Sequence, residues 1–261
     1  MTEITQAAHN ESVIQQFTKQ AIPFTSLPGH SDESALALLL RLTEVNPTDT
    51  VLDVACGSGI VACAFAEVAQ QVMGIDLTPA MIERAQLLQQ EKKLSNLNWQ
   101  ISDVLPLPYD DASFSLVVTR YSFHHFINPQ AVLAEIKRVC TPGGRVLVVD
   151  VTPAPDKVVA YNHLEKLRDP SHVRALTFTE LLKMFQQVGL TVLKTDFYQL
   201  EMELEKQLQA SFPNLGNADK IRQLFIEDLE NDSLGVESHR RENEIHFAYP
   251  IAVIVGQKTV L

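Results

Sequence analysis

The chain has 261 residues, 46% of them hydrophobic, and a formal net charge of −11 at pH 7. That length supports one domain with a sizeable core, and the negative field repels the phosphate backbone of nucleic acids. No apolar run approaches the ~18 residues of a membrane span and the first residues show no basic-then-apolar leader, so a soluble, cytoplasmic protein with no membrane span is expected.

In chain order, two helices are predicted first, at 11–20 and 33–45. The second has Ser31, Asp32 and Glu33 at its start and Leu36, Leu39 and Leu40 on one face. Phe17, Phe24 and His30 fall in this region, which reads either as a lid over a ligand or as a helical flank of a sheet. A strand at 50–54 then runs through Asp53-Val54-Ala55-Cys56-Gly57-Ser58-Gly59 into a helix at 59–68. Such a strand–turn–helix leaves backbone N–H groups free for an electron-rich ligand edge. A dinucleotide fingerprint needs a third glycine, and Ile60, Val61 and Ala62 follow Gly59 instead. Asp53 would repel a pyrophosphate and attract an ammonium, such as that of the amino-acid portion of S-adenosylmethionine (SAM).

A strand at 71–75 ends in Asp76, placed to accept from ribose hydroxyls, and Thr78 and Pro79 open a helix at 79–93. The strand at 98–102 leads to Asp103, an acceptor for an adenine amino group, and the strand at 114–119 leads to Arg120. Asn128 and Pro129 open a helix striped by Val132, Leu133, Ile136 and Val139, which Pro142-Gly143-Gly144 closes before a strand at 145–151. Short apolar strands alternating with helices demand right-handed crossovers and a doubly wound α/β sheet, with the ligand crevice beyond the carboxyl ends of the strands. Asp53, Asp76, Asp103 and Arg120 all fall there. Beyond Pro153 and Pro155 come a helix at 156–168, a Thr177/Glu180 capping box for a helix ending at Gly189, and a strand at 190–199. Residues 200–242 are polar and helical in pattern, and a strand at 244–256 contains Pro250, a sign of a bulge or an edge. Cys56, Cys63 and Cys140 form no C-x-x-C pair, so neither zinc nor disulfides are expected, and no acidic set has metal-ligand spacing.

The runs V-L-D-V-A-C-G-S-G (51–59), G-I-D-L-T-P-A-M (74–81), S-D-V-L-P-L-P (102–108), F-S-L-V-V-T-R-Y-S-F-H-H-F (114–126) and L-A-E-I-K-R-V-C-T-P-G-G-R (133–145) carry a resemblance. Over residues 45–190 the chain resembles the class I SAM-dependent methyltransferases of the UbiE-like (methyltransferase type 11) family. The run 162–174 is similar to a bacterial branch of it, and Ala55 departs from the Gly of many members. The resemblance implies a Rossmann-like seven-stranded sheet with an antiparallel last strand in one domain spanning 1–261. Its core would be 45–199 and 243–258, with an N-terminal lid at 1–44 and a helical cover at 200–242. It also implies a SAM site built from Asp53, Ala55, Cys56, Gly57, Gly59, Asp76, Leu77, Met81, Asp103, Val104 and Arg120.

Displacement at a sulfonium methyl needs an in-line acceptor and, for a weak acceptor, a base. His124 and His125, past the fourth strand, and His172 are the candidates, although one of His124 and His125 also reads as a packing partner of Phe123 and Phe126 and the other as a loop cap. His163, Arg168 and Arg174 read either as binders of a carboxylate or phenolate acceptor or as a hinge with Arg168 paired to Asp169 or Glu165. Tyr161, Tyr198 and Phe212 are candidates for the acceptor side. The expected reaction is metal-independent methylation of an oxygen or carbon in a phenolic, quinone-like or enol metabolite. N-methylation, a non-catalytic SAM-binding protein and a nicotinamide oxidoreductase remain as alternatives, and the sequence admits a homodimer without indicating one.

Overall fold

A computed structural model describes residues 5–25 and 32–260, apart from the side chains of Phe24 and Thr25. His30 and the Phe24 side chain, both named above as lid residues, therefore lie outside the described residues. Helices α1 (Gln6–Thr25) and α2 (Glu33–Thr43) come first, and the Asp32 carboxylate caps α2 by accepting from the Ser34 and Ala35 N–H groups. Alternation then follows: β1 (Thr50–Val54), α3 (Ile60–Ala66), β2 (Gln71–Asp76), α4 (Pro79–Glu91), β3 (Leu97–Ile101), β4 (Phe114–Arg120), α5 (Pro129–Val139) and β5 (Cys140–Val151). The remainder comprises α6 (Val158–Arg168), α7 (Phe178–Val188), β6 (Leu190–Glu203), α8 (Leu204–Ser211), α9 (Asn217–Asp228), β7 (His239–Arg241) and β8 (Glu244–Lys258). The expected Thr177/Glu180 capping box opens α7, and Gly189 ends it in a left-handed conformation.

The sheet has the order β3-β2-β1-β4-β5-β8-β6, parallel through β5, with β8 antiparallel to both of its neighbours. Strand order reverses between β1 and β4, where an open α/β sheet leaves its ligand crevice. Register brings the site residues together: Asp53 stands opposite Gly74 on β2 and Val118 on β4, so Asp76 and Arg120 project two residues further at adjacent strand ends. In β5, Val146, Leu147, Val148 and Val149 are each no more than 1% exposed, the mark of a strand covered on both faces. Alternate residues feed two cores. Val51, Leu116, Val118, Leu147 and Val253 pack with Leu39, Phe65, Tyr161, Leu208 and Phe225, whereas Leu52, Val117, Val146, Val148 and Ile254 pack with Leu133, Ile136, Leu181 and Phe185.

Several boundaries differ from expectation. Helix α1 begins at Gln6 rather than 11, after Thr5, whose hydroxyl accepts from the Ala8 N–H; its polar first turn has no apolar stripe to announce it. Pro142-Gly143-Gly144 lies inside β5 instead of closing α5: Cys140 already pairs with Phe114, and the ladder resumes at Leu116–Arg145. Strand β6 runs on to Glu203, because Leu200 and Met202 alternate inward and are buried. An eighth strand, β7, folds back on β8 through a turn at Glu242, where φ is 55°. Pro250 sits where β5 runs out, one residue beyond the last pair, Val151–Ile251. The ladder irregularity is instead on β6, between Val192 and Lys194. Among the described residues no helix is long and apolar enough to cross a membrane.

Candidate active site

The turn from β1 into α3 is built from left-handed residues: Ala55 (φ 54°), Gly57 (φ 52°) and Gly59 (φ 79°). For Ala55 this conformation costs roughly 1–2 kcal/mol, strain that the surrounding turn must hold. The two glycines serve different ends. A Cβ on Gly59 would lie 2.5 Å from the Trp99 ring and 2.7 Å from the Ala85 Cβ, so this glycine lets α3 start tight against α4 and β3. A Cβ on Gly57 would meet nothing within 4 Å. The turn is tied to β2 by the Cys56 N–H, which donates to the Ile75 carbonyl at 3.0 Å. The Gly57 N–H donates to Asp76 Oδ2 at 2.8 Å, and Asp76 Oδ1 accepts from the Thr78 N–H at 2.8 Å. One carboxylate thus braces two loops. Burial pushes the Asp76 pKa up, against the opposing pull of these N–H groups.

Asp53 is 1% exposed, and its Oδ2 has no hydrogen-bond partner. Burial pushes its pKa up to about 8, with Arg120 opposing and Asp76 adding to the rise. An orphaned buried carboxylate oxygen is costly unless a ligand cation or donor completes it. Asp53 faces a cleft of about 1190 Å³, counted to its open mouth, at the carboxyl ends of β1, β2 and β4. Ala55, Cys56, Gly57, Asp76, Leu77, Met81, Asp103, Val104 and Arg120 also line it, whereas Gly59 stands behind the turn. Burial raises the Cys56 thiol pKa well above its ordinary range, so Cys56 packs as a protonated thiol.

Helix α1 forms the opposite wall. Gln6, His9, Asn10, Val13 and Phe17 all line the cleft, and their three- and four-residue spacing puts them on one helical face. The Asn10 amide donates to Asp103 Oδ2 at 2.6 Å, and His9 Nε2 donates to the His125 carbonyl at 2.7 Å. Gln16 and Gln20 donate to the Ser211 carbonyl at the end of α8, at 2.6 and 3.1 Å. Sequence does not single out Gln6, His9, Asn10 and Val13, because this face is mostly polar and carries no apolar stripe.

The three histidines form one cluster with unequal access. His124, His125 and His172 have ring centroids 4.4 Å (124–125) and 5.5 Å (124–172) apart, and only His125 lines the cleft. His124 Nδ1 bonds Asp150 Oδ1 at 2.6 Å; burial opposes its charged form, but the Asp150 carboxylate wins and raises its pKa. Burial and the neighbouring His124 charge push His125 down to about 3, so its imidazole is neutral. His172 Nε2 donates to Asn162 Oδ1 at 2.7 Å, and burial likewise keeps this ring neutral.

The residues expected to hold an acidic acceptor do not reach the cleft. His163 is exposed on α6, and Arg174 pairs with Glu180 at 2.7 Å on the surface. Arg168 is buried because Glu165 neutralises it, its Nε and Nη2 donating to Glu165 Oε2 at 2.9 and 2.5 Å. Of the two expected partners of Arg168, the ion pair is made with Glu165. Of the expected acceptor-side aromatics, Tyr161 is core, Phe212 is 45% exposed, and Tyr198 stands behind Tyr121, whose hydroxyl it meets at 2.6 Å. Tyr121 itself lines the cleft.

Comparison with known proteins gives this geometry a context. Residues 52–148 match a family model described as a methyltransferase domain. The chain is similar to YcgJ, an uncharacterized methyltransferase of Bacillus subtilis, with 29% identity over 249 residues that cover 93% of this chain and 97% of YcgJ. The crystal structure of YcgJ matches with a TM-score of 0.77, covering 88% of this chain and 98% of that one. A shorter likeness, 41% over 105 residues, covers 40% of this chain and 43% of the demethylmenaquinone methyltransferase of Deinococcus radiodurans. A geranyl diphosphate methyltransferase in complex with SAM shares the fold at 19% identity, with a TM-score of 0.60 and 87% of this chain covered.

Proposed function

We propose that the chain is a class I SAM-dependent methyltransferase that methylates an oxygen or carbon of an uncharged phenolic, quinone-like or enol metabolite in the cleft under α1. The observation that carries this reading is the buried, unpartnered Asp53 oxygen at the sheet's switch point. It fits the ammonium of SAM, which when bound supplies an electrophilic methyl group on sulfonium. Gly57 offers open backbone to the methionine end, Asp76 retains lone pairs for ribose hydroxyls, and Asp103 with Val104 flanks the adenine. Leu77 and Met81 add apolar cover.

The acceptor would lie toward His125, where Val13, Phe17, Phe126, Ile127 and Val132 make the lining apolar. Arg168 and Arg174 are engaged elsewhere, and the arginine that lines the cleft, Arg120, acts on the Asp53 carboxylate at the cofactor end, which favours a neutral hydroxyl or enol. His125 would take the acceptor's proton, and α1 would exclude water. Calorimetry with SAM, followed by a screen of phenols, quinols and enols against amines and keto acids, tests the reading. SAM binding with turnover of the first group is expected. Absence of SAM binding would overturn it, and binding without turnover of any acceptor would favour a non-catalytic SAM-binding protein.

A further inference from the structure

His125 carries more information than its place in the cleft. Its Nδ1 lies 3.2 Å from the Ser171 carbonyl oxygen and 3.2 Å from Ser171 Oγ. A carbonyl oxygen only accepts, so Nδ1 must carry the hydrogen. The Ser171 hydroxyl is turned the other way, donating to Asp169 Oδ1 at 2.6 Å, which leaves Oγ lone pairs for the Nδ1–H. Ser171 and Asp169 are 0% and 1% exposed. Burial alone would raise the Asp169 carboxyl, yet the adjoining His125 ring, Arg168 and the Ser171 bonds hold it below its ordinary range. His125 Nε2 makes no hydrogen bond to a described residue, and the ring meets Phe17 of α1 edge-on at 5.0 Å. An Asx turn that merely closes α6 would explain why the Ser171 N–H donates to Asp169 at 2.8 Å, but not why the hydroxyl faces the imidazole.

We propose that Asp169 and Ser171 are positioning residues that fix His125 as the base, with Nδ1–H held by the protein and the Nε2 lone pair presented to the acceptor. This rests on the methyl-transfer reading above. As the acceptor oxygen bonds to the methyl carbon, the carbon–sulfur electron pair stays on sulfur and the acceptor's O–H proton passes to Nε2. Positive charge leaves sulfur as it appears on His125, so the cleft's total is unchanged. Asp169, behind Ser171, stabilises the new imidazolium against the burial and the His124 charge that disfavour it in the resting protein, and the ring then releases its proton to water.

Two measurements test this. Imidazole 15N and 13C shifts of histidine-labelled protein, assigned with His125→Gln, are expected to show a neutral Nδ1–H ring at His125; an Nε2–H ring would overturn the proposal. Asp169→Asn is expected to lower kcat about 10- to 100-fold with a simple phenol while leaving SAM affinity in place. With a nitrophenol already ionised at the assay pH, the loss should shrink to roughly threefold or less, since no proton remains to be taken. Ser171→Ala should show the same pattern more weakly and stands in if Asp169→Asn does not fold. No loss in either variant, or equal losses on both acceptors, would overturn the positioning role. If the wild type binds SAM but turns over nothing, the methyl-transfer reading fails, and the ring's tautomer still decides the geometry proposed here.

Discussion

Asp53 is buried at a cost to the ligand-free protein. Its folded pKa of about 8 stands far above the ordinary carboxylate value of 3.8, so between those values the native state binds a proton that the unfolded state has lost. Stability of the ligand-free protein must therefore fall as pH rises through that window. Melting curves at pH 5 and pH 8 should show a drop for the wild type that Asp53→Asn lacks, and SAM should narrow the gap while binding the variant about 1–3 kcal/mol more weakly. Parallel pH profiles for the two proteins would show that Asp53 is not the strained group. The two glycines of the turn should separate in the same way. Gly59→Ala forces a methyl against Trp99 and Ala85 and should cost about 2–4 kcal/mol in urea unfolding. Gly57→Ala meets open space, so about 1–2 kcal/mol is expected, with the larger loss in SAM affinity.

Among the elements, α1 is the one whose role a single bond can test. Asn10→Ala removes the link to Asp103, which also flanks the proposed adenine site, so SAM should dissociate several-fold faster in stopped-flow displacement. Hydrogen exchange across Gln6–Thr25 should slow on SAM binding in the wild type, and an unchanged pattern would make α1 a fixed flank. How much of each element was legible follows from what its residues announce locally. The strand ends were readable because apolar runs buried on both faces stop abruptly at Asp53, Asp76 and Arg120. The first turn of α1 was not, since Gln6 to Asn10 is polar and shows its purpose only opposite Asp103. Strand β7 was also hidden: His239-Arg240-Arg241 has no apolar alternation and exists because β8 offers it an edge. Nor does sequence divide the three histidines, because their access depends on Asp150, Ser171 and Asn162, brought near by the fold.

Across the whole molecule, one buried network replaces the substrate site that the arginines suggested. Glu165 accepts from Arg168 and from the Tyr249 hydroxyl at 3.1 Å, and Arg168 Nη1 donates to Ser211 Oγ at 3.1 Å, joining α6, α8 and β8. Removing one partner leaves an uncompensated buried charge, so Arg168→Ala should lose about 3–5 kcal/mol in denaturant unfolding with acceptor preference unaltered. A changed preference with unchanged stability would return Arg168 to the acceptor site.

The Ser211 carbonyl, which receives Gln16 and Gln20 from α1, sets terms for redesign. Exchanging α8 for a relative's segment, in the hope of importing new selectivity, would also unmoor the helix that walls the cleft. A chimera built on this scaffold has to transplant α1, α6 and α8 as one piece.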